Sequence, residues 1–389
     1  MGLTSTTVLL LAVSSAVLLF AGTVWQWPRL AGPGMRAVSG RVGLLLATQS
    51  AVFVAVGLAA NQAFGFYASW ADLFGRETGQ GVVVDHAVGD GAAALRVVAT
   101  RRVEGAGGRP LSGGQVHEVA VSGRTTRITT PAFVYLPPEY FDPRRPARTF
   151  PAAVVLTGYP GTAEALVDKL DYPRTARRLA AEGRMRPMIL VMLRPTVVPP
   201  RDTECVDTPG GPRTESFFAK DLPEAVAAHY RVGREPGGWG VIGNSTGGYC
   251  ALKLAMHHPG VFAAGAGLSA YYKAPIDPTT GELFHGNATL RNEADLWWFL
   301  KNRPAPDTSL LVTSSKAGES NYKATLKFIE QVKATNRTRI SSIILESGGH
   351  NFNTWRREIP PALEWIGGRL SGGPVGGRAG GRVVGRAGG

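Results

Sequence analysis

The sequence predicts an α/β fold: a mostly parallel sheet with helices on both faces, preceded by two transmembrane helices. Three observations predict it. Short apolar runs recur after residue 150, each followed by a stretch of helical character. These runs are near-continuous Val, Ile, Leu, Ala and Gly, the pattern of strands buried on both faces. Two long stretches without charge occupy the N-terminus.

The N-terminal stretches are residues 3–25, LTSTTVLLLAVSSAVLLFAGTVW, and 42–71, VGLLLATQSAVFVAVGLAANQAFGFYASWA. A helix needs about 20 apolar residues to cross the hydrocarbon core, and both qualify. Trp25, Trp27, Phe66, Tyr67 and Trp70 stand where interfacial aromatics gather. A cleaved signal peptide fits poorly: no positive segment precedes the first stretch, and a second follows it. The connecting loop carries Arg29, Arg36 and Arg41 and no acid. The positive-inside rule places it in the cytoplasm, and everything after residue 75 outside.

Residues 1–75 are thus expected as a membrane anchor. Residues 76–114, rich in Gly, Ala and Arg, read as a linker with one apolar run (VVVDHAV), a strand or short helix. A catalytic domain is expected over 115–370. GQVHEVAVSG and RITTPAFVYLPPEYF alternate like strands, and Pro-Pro stops the second. Then come AAVVLT, MILVMLRP, GWGVIG, FAAGAGLSA, SLLVTSS and ISSIILES, most of them followed by helical stretches and FAAGAGLSA by a long irregular region. Residues 371–389, SGGPVGGRAGGRVVGRAGG, cannot bury a core and read as a disordered basic tail.

Composition narrows the partners. The 389 residues carry a formal net charge of +13, without a basic run interleaved with aromatics. That speaks against nucleic acid and suits a protein beside an anionic membrane or envelope. The two cysteines, Cys205 and Cys250, are too few for a disulfide framework, but they can pair if the domain lies outside the cytoplasm. No Cys/His spacing suggests zinc. Asp202, Glu204 and Asp207 in RDTECVD are spaced like oxygen ligands for a hard cation. The segment lacks the Gly and terminal Glu of an EF-hand loop and reads instead as a loop paired with arginines.

The chemistry centres on GNSTGG. Gly243-Asn244-Ser245-Thr246-Gly247 matches G-x-S-x-G between an apolar strand and a helix. Glycines two positions either side let strand and helix approach closely and push the Ser245 hydroxyl clear of the backbone. A serine nucleophile needs a base. Of seven histidines, His257 and His258 end the helix after the elbow, where its dipole favours a cation. His86, His117 and His229 lie in the linker, an early strand and a helix; His285, in a polar loop, is a minor candidate. His350 follows the last apolar strand on the Gly-rich loop LESGGHNFNTW, in the order Ser, acid, His. The acid that would hold its imidazole in the productive tautomer is Glu319, on the loop after SLLVTSS, or Glu330, inside the next helix. Two backbone N–H groups are needed for an oxyanion. Thr246 would supply one, and Tyr159 (or Gly158) in TGYPGT the other. No cofactor or metal is needed.

These residues resemble the esterase family of α/β-hydrolases that holds feruloyl esterases, esterase D-type enzymes and mycobacterial mycolyltransferases. The resemblance covers roughly residues 115–370, and actinobacterial membrane-anchored members look most alike. Its carriers are PAFVYLPPEYF, VVLTGYPG, TESFFAKDLPEAVAAHYRV, GNSTGGYCALKLAMHHPGVFAAGAGLSAYY and SGGHNFNTW. It implies the α/β-hydrolase fold, Ser245 as nucleophile and His350 as base. It leaves the acid open. Feruloyl esterases place it in the loop, which matches Glu319. Mycolyltransferases place it in a helical Lys-Phe-Leu-Glu segment, which matches Lys327-Phe328-Ile329-Glu330. The expectation is a membrane-anchored, extracytoplasmic serine esterase acting on an ester or acyl-sugar of the cell envelope. Its rivals are an acyltransferase to a sugar hydroxyl and a non-catalytic envelope-binding module.

Overall fold

The computed structural model describes residues 5–64, 70, 94–103, 113–199, 201–233 and 235–371. The run VVVDHAV, His86, Phe66, Tyr67 and the tail from residue 372 lie outside them.

Two helices open the chain, α1 (Thr6–Gln26) and α2 (Met35–Phe64). They pack on each other as a hairpin, and the Thr23 and Thr48 hydroxyls bond across it at 2.9 Å. Both are long and apolar enough to cross a membrane. Their apolar side chains face outward: Phe53 is 83% exposed and Leu18 71%. Water penalises such a surface and hydrocarbon does not. The helix α2 begins before the expected second stretch, so Arg36 and Arg41 occupy its first turns. Long arginine stems at a helix end reach back to an interface.

One nine-stranded sheet carries the rest, in the order β1-β2-β3-β5-β4-β6-β7-β8-β9. The strands are β1 (Leu95–Arg102), β2 (Gln115–Ser122), β3 (Thr129–Leu136), β4 (Ala152–Leu156), β5 (Ile189–Leu193), β6 (Trp239–Asn244), β7 (Ala264–Leu268), β8 (Ser309–Ala317) and β9 (Arg339–Ser347). The first three pair antiparallel with one another, as do β3 and β5; β5, β4, β6, β7, β8 and β9 run parallel. Strands β4, β5, β6 and β7 are buried throughout, which explains their unbroken apolar reading.

The edge strand β1 corrects the linker expectation for 94–103. Its sequence, LRVVATRR, reads as linker because one face and the last three residues are exposed; only Leu95 is fully buried. Two apolar layers flank the sheet. One holds α6 (Thr246–His257) and the aromatic pair Phe217 and Phe218; the other holds Tyr172 of α4 (Tyr172–Ala181) and Trp355 and Ile359 of α10 (Phe352–Gly367). The remaining helices are α3 (Ala163–Asp168), α5 (Leu222–His229), α7 (Ala288–Glu293), α8 (Leu296–Asn302) and α9 (Tyr322–Lys333). In α10, Asn351 caps the start by accepting from the Asn353 and Thr354 amides.

Candidate active site

The carboxyl ends of parallel strands expose loops and helix N-termini to one rim, where reactive groups collect. Strand β6 ends at Asn244, and α6 starts at Thr246. Ser245 alone makes the turn, at φ 56° and ψ −121°, and its N–H donates to the Leu268 carbonyl at 2.9 Å. A side chain at positive φ costs of order 1–3 kcal/mol, so the surroundings must hold it. They do so by contact. A Cβ on Gly247 would stand 2.3 Å from the Leu156 carbonyl oxygen, and one on Gly243 would stand 2.4 Å from the Gly247 carbonyl. Only glycine lets this helix lie so near β4 and β6.

His350 lies on the loop between β9 and α10. Its Nε2 is 2.8 Å from Ser245 Oγ. Its Nδ1 faces Glu319 Oε1 at 3.8 Å. That is longer than a hydrogen bond, as such contacts often are in unliganded enzymes. The Glu319 side chain is 2% exposed and that of His350 50%. Glu319 reaches this place because Gly318 (φ +95°) packs against the Gly348 carbonyl, where a Cβ would come within 2.4 Å. Glu330 does not join the group. It lies on α9, 70% exposed and paired with Lys333 at 3.0 Å.

Two residues given no role in the sequence reading orient Glu319. Ser269, just beyond β7, donates its hydroxyl to Glu319 Oε1 at 2.8 Å. Trp355 of α10 donates its indole N–H to Ser269 Oγ at 3.0 Å and meets the His350 ring edge-on at 5.2 Å. Ser269 sits at φ 48°, and its N–H bonds Thr313 Oγ1 of β8. The position of Ser269 at a strand end was a legible signal; its partner, 50 residues later, was not. Beneath them Glu358 of α10 is fully buried. Burial first, with the charge of Glu319 adding to it, pushes its carboxyl up to about 8.

Gly158 and Tyr159 lie on the loop after β4 and line a cavity of about 280 Å³ together with Ser245 and His350. Ala165, Leu166, Leu170, Phe352 and Trp355 make most of its remaining wall apolar, with Thr157 and Asn244 as the polar exceptions. Thr246 is the first residue of α6, where backbone N–H groups have no partner within the helix.

The other candidates are placed elsewhere. His257 and His258 both bond Glu215, whose second oxygen pairs with the buried Lys253. His117 bonds the Tyr230 hydroxyl, and the His229 ring stands edge-on to Tyr230. The three carboxylates of RDTECVD do not converge on one point: Asp207 turns away from the other two. Asp207 bonds Ser216 and faces Arg213, as expected of an arginine-paired loop. Asp202 and Glu204 correct that expectation: both are buried, Glu204 bonds Tyr271, and Asp202 accepts the Glu204 N–H. Among the described residues no group of three or more His, Cys, Asp or Glu is placed to hold a metal ion. Cys205 and Cys250 form a disulfide that ties this loop to α6.

Comparison with known proteins fits this geometry. Residues 124–366 match the family model described as "Putative esterase". The chain belongs to this esterase family. The match to this family and a relative named as an acyltransferase support an enzyme. The chain is 23% identical over 268 residues to an uncharacterized protein of Corynebacterium glutamicum, covering 66% of this chain and 62% of that one. It is 29% identical over 162 residues to the diacylglycerol acyltransferase/mycolyltransferase Ag85A of Mycobacterium ulcerans, covering 35% and 46%. The esterase chain therefore spans less than two thirds of either relative's length. Its fold is that of an S-formylglutathione hydrolase from Agrobacterium tumefaciens (TM-score 0.57, 16% identity, 71% of this chain and 99% of that one). A ferulic acid esterase gives a TM-score of 0.56 at 16% identity, covering 66% and 98%. A fluorophosphonate-binding serine hydrolase of Staphylococcus aureus gives 0.53 at 18%, covering 65% and 98%.

Proposed function

We propose that the protein is a membrane-anchored serine esterase with its catalytic domain outside the cytoplasm. The observation that carries the reading is the 2.8 Å contact of His350 Nε2 with Ser245 Oγ at a strained strand–helix turn. Ser245 Oγ attacks the acyl carbon while its proton passes to His350 Nε2. Glu319, steadied by Ser269 and Trp355, holds the proton of Nδ1 in place and stabilises the imidazolium. The oxyanion rests on the backbone amides of Thr246 and Tyr159. His350 then returns its proton to the leaving alkoxide. Water, activated by the same imidazole, attacks the acyl-enzyme and releases the acid. The apolar cavity suits an ester with an uncharged, apolar arm.

Two observations support the location. Arg29, Arg36 and Arg41 flank the connection between the two helices, and Cys205 is paired with Cys250. Disulfides persist in oxidising compartments. A reporter fused after residue 75 that reads as cytoplasmic would overturn this orientation.

The relative named as a mycolyltransferase favours a second reading, in which a sugar hydroxyl replaces water in the second step. Both chemistries share the first step. A fluorophosphonate probe should label the wild type and not Ser245→Ala. No labelling of the wild type would instead favour a non-catalytic envelope-binding module. Product analysis with and without trehalose then separates hydrolysis from transfer.

A further inference from the structure

Asp202 and Glu204 are unused in the chemistry above, yet both are buried against the elbow, 1% and 2% exposed. The Tyr271 hydroxyl lies 2.7 Å from each Glu204 oxygen and 3.1 Å from Thr246 Oγ1. Asp202 Oδ1 accepts the Glu204 N–H at 3.0 Å, which places the second acid beside the first.

Proton accounting constrains this cluster. A phenol and a threonine hydroxyl carry one proton each, and an ionised carboxylate carries none. Two ionised carboxylates held together away from water are costly, so one takes a proton. Burial pushes Asp202 up to about 6; burial together with the Asp202 charge pushes Glu204 well above the usual carboxylate range. At least one of the two acids therefore holds a proton, and Tyr271 Oη joins the Glu204 carboxyl to Thr246 Oγ1.

The loop that carries both acids is fastened independently. Cys205 is joined to Cys250 of α6, and its carbonyl accepts from Lys253 Nζ at 2.7 Å. Glu204 and Cys205 both sit at φ 49°, a strained backbone that persists only where its surroundings over-determine it. The Tyr271 ring stacks on Tyr249 of α6, centroids 5.2 Å apart and planes at 16°.

We propose that Glu204 and Tyr271 are positioning residues for the oxyanion site: their hydrogen-bonded chain fixes the Thr246 side chain and so aims its amide beside Ser245. A β-branched side chain has one or two χ1 settings, so holding Oγ1 holds the backbone attached to it. The inference rests on the reading of Thr246 as an oxyanion donor.

The test uses the full-length protein in detergent with p-nitrophenyl butyrate. Tyr271→Phe keeps the ring on Tyr249 and deletes one hydroxyl. Removing an oxyanion donor outright costs roughly a hundred- to a thousand-fold in kcat, so a misaimed one should cost about ten- to a hundred-fold. KM should stay within about two-fold, because only a transition-state contact is lost. Glu204→Gln retains a donor toward Tyr271 and should keep kcat within about three-fold, whereas Glu204→Ala should behave like Tyr271→Phe. Wild-type kcat in a folded Tyr271→Phe sinks the proposal. So does a loss seen only in KM or melting temperature, or a Glu204→Gln variant as impaired as Glu204→Ala. If Glu204→Ala does not fold, Tyr271→Phe and Glu204→Gln decide. Ser245→Ala separates the two levels: wild-type turnover in that variant sinks the serine mechanism itself. An inactive Ser245→Ala beside an unaffected Tyr271→Phe sinks only the positioning chain.

Discussion

Replacing both cysteines, Cys205→Ala with Cys250→Ala, opens a covalent loop of sequence separation 45. In the chain-entropy account a loop of that length restricts the unfolded state by about 4 kcal/mol at 25 °C. Both side chains are fully buried, and alanine leaves only a small gap at each, so loop closure dominates the expected loss. For a domain of this size 1 kcal/mol moves the melting temperature by about 2 °C, so the double variant should melt about 8 °C below the wild type. The assay is a thermal melt of the two proteins in the same detergent without reductant. Thiol titration in denaturant should find no free thiol in the wild type. A melting-temperature difference below about 2 °C would refute the loop-closure reasoning, because it lies far under the predicted loss. Free thiols in the wild type isolated from cells would refute the pairing and remove one support for the extracytoplasmic placement.

Three further outcomes are expected. Glu319→Gln should lower kcat by about a hundred-fold or more, because the base loses the partner that fixes its tautomer, while Glu330→Gln on the exposed face of α9 should stay within about two-fold; the reverse order in an ester assay refutes the acid assignment. Glu358 is held neutral up to about 8 when folded but ionises near its ordinary value when unfolded, so the folded state binds the extra proton in between. Stability should therefore fall by about 1.4 kcal/mol per pH unit from this group between roughly pH 5 and 8, and Glu358→Gln should remove that slope; parallel stability–pH curves from denaturant melts refute it. The cavity of about 280 Å³ holds about nine water-sized groups, so the turnover of p-nitrophenyl esters should peak at medium acyl length and fall steeply for a palmitoyl ester; equal kcat/KM across the series refutes a bounded pocket.

The parallel core was readable because strands buried on both faces leave no polar alternation: AAVVL, ILVML and AGAGL are each buried at every position. Ser245, His350 and Glu319 were legible for another reason. Each follows a strand on a glycine-bearing turn, and chain order alone ranks them. What stayed hidden depends on partners far apart in the chain. LRVVATRR gives no strand signal until β2 is seen beside it, since its last three residues are exposed. The carboxylates of RDTECVD looked alike as a motif, yet Asp207 turns to Arg213 while Glu204 meets Tyr271, 67 residues away. Ser269 and Trp355 had no recognisable spacing to the acid they orient. Burial and proximity support Glu319 over Glu330 as the proposed acid: one carboxylate is 2% exposed beside His350, the other 70% exposed beside a lysine.

Under the proposed anchoring, strand β1 is also where a pull from the N-terminal helices enters the described sheet. The described sheet begins at this edge strand, whereas Ser245 follows β6, five places along the order. Neighbouring strands are about 4.8 Å apart, so about 24 Å of sheet separates the two. If the N-terminal helices anchor the protein as proposed, a pull through them would reach the antiparallel β1–β2 pair first. The parallel strands that carry the serine, the histidine and the glutamate lie beyond that pair, so chemistry can outlast partial detachment of the edge.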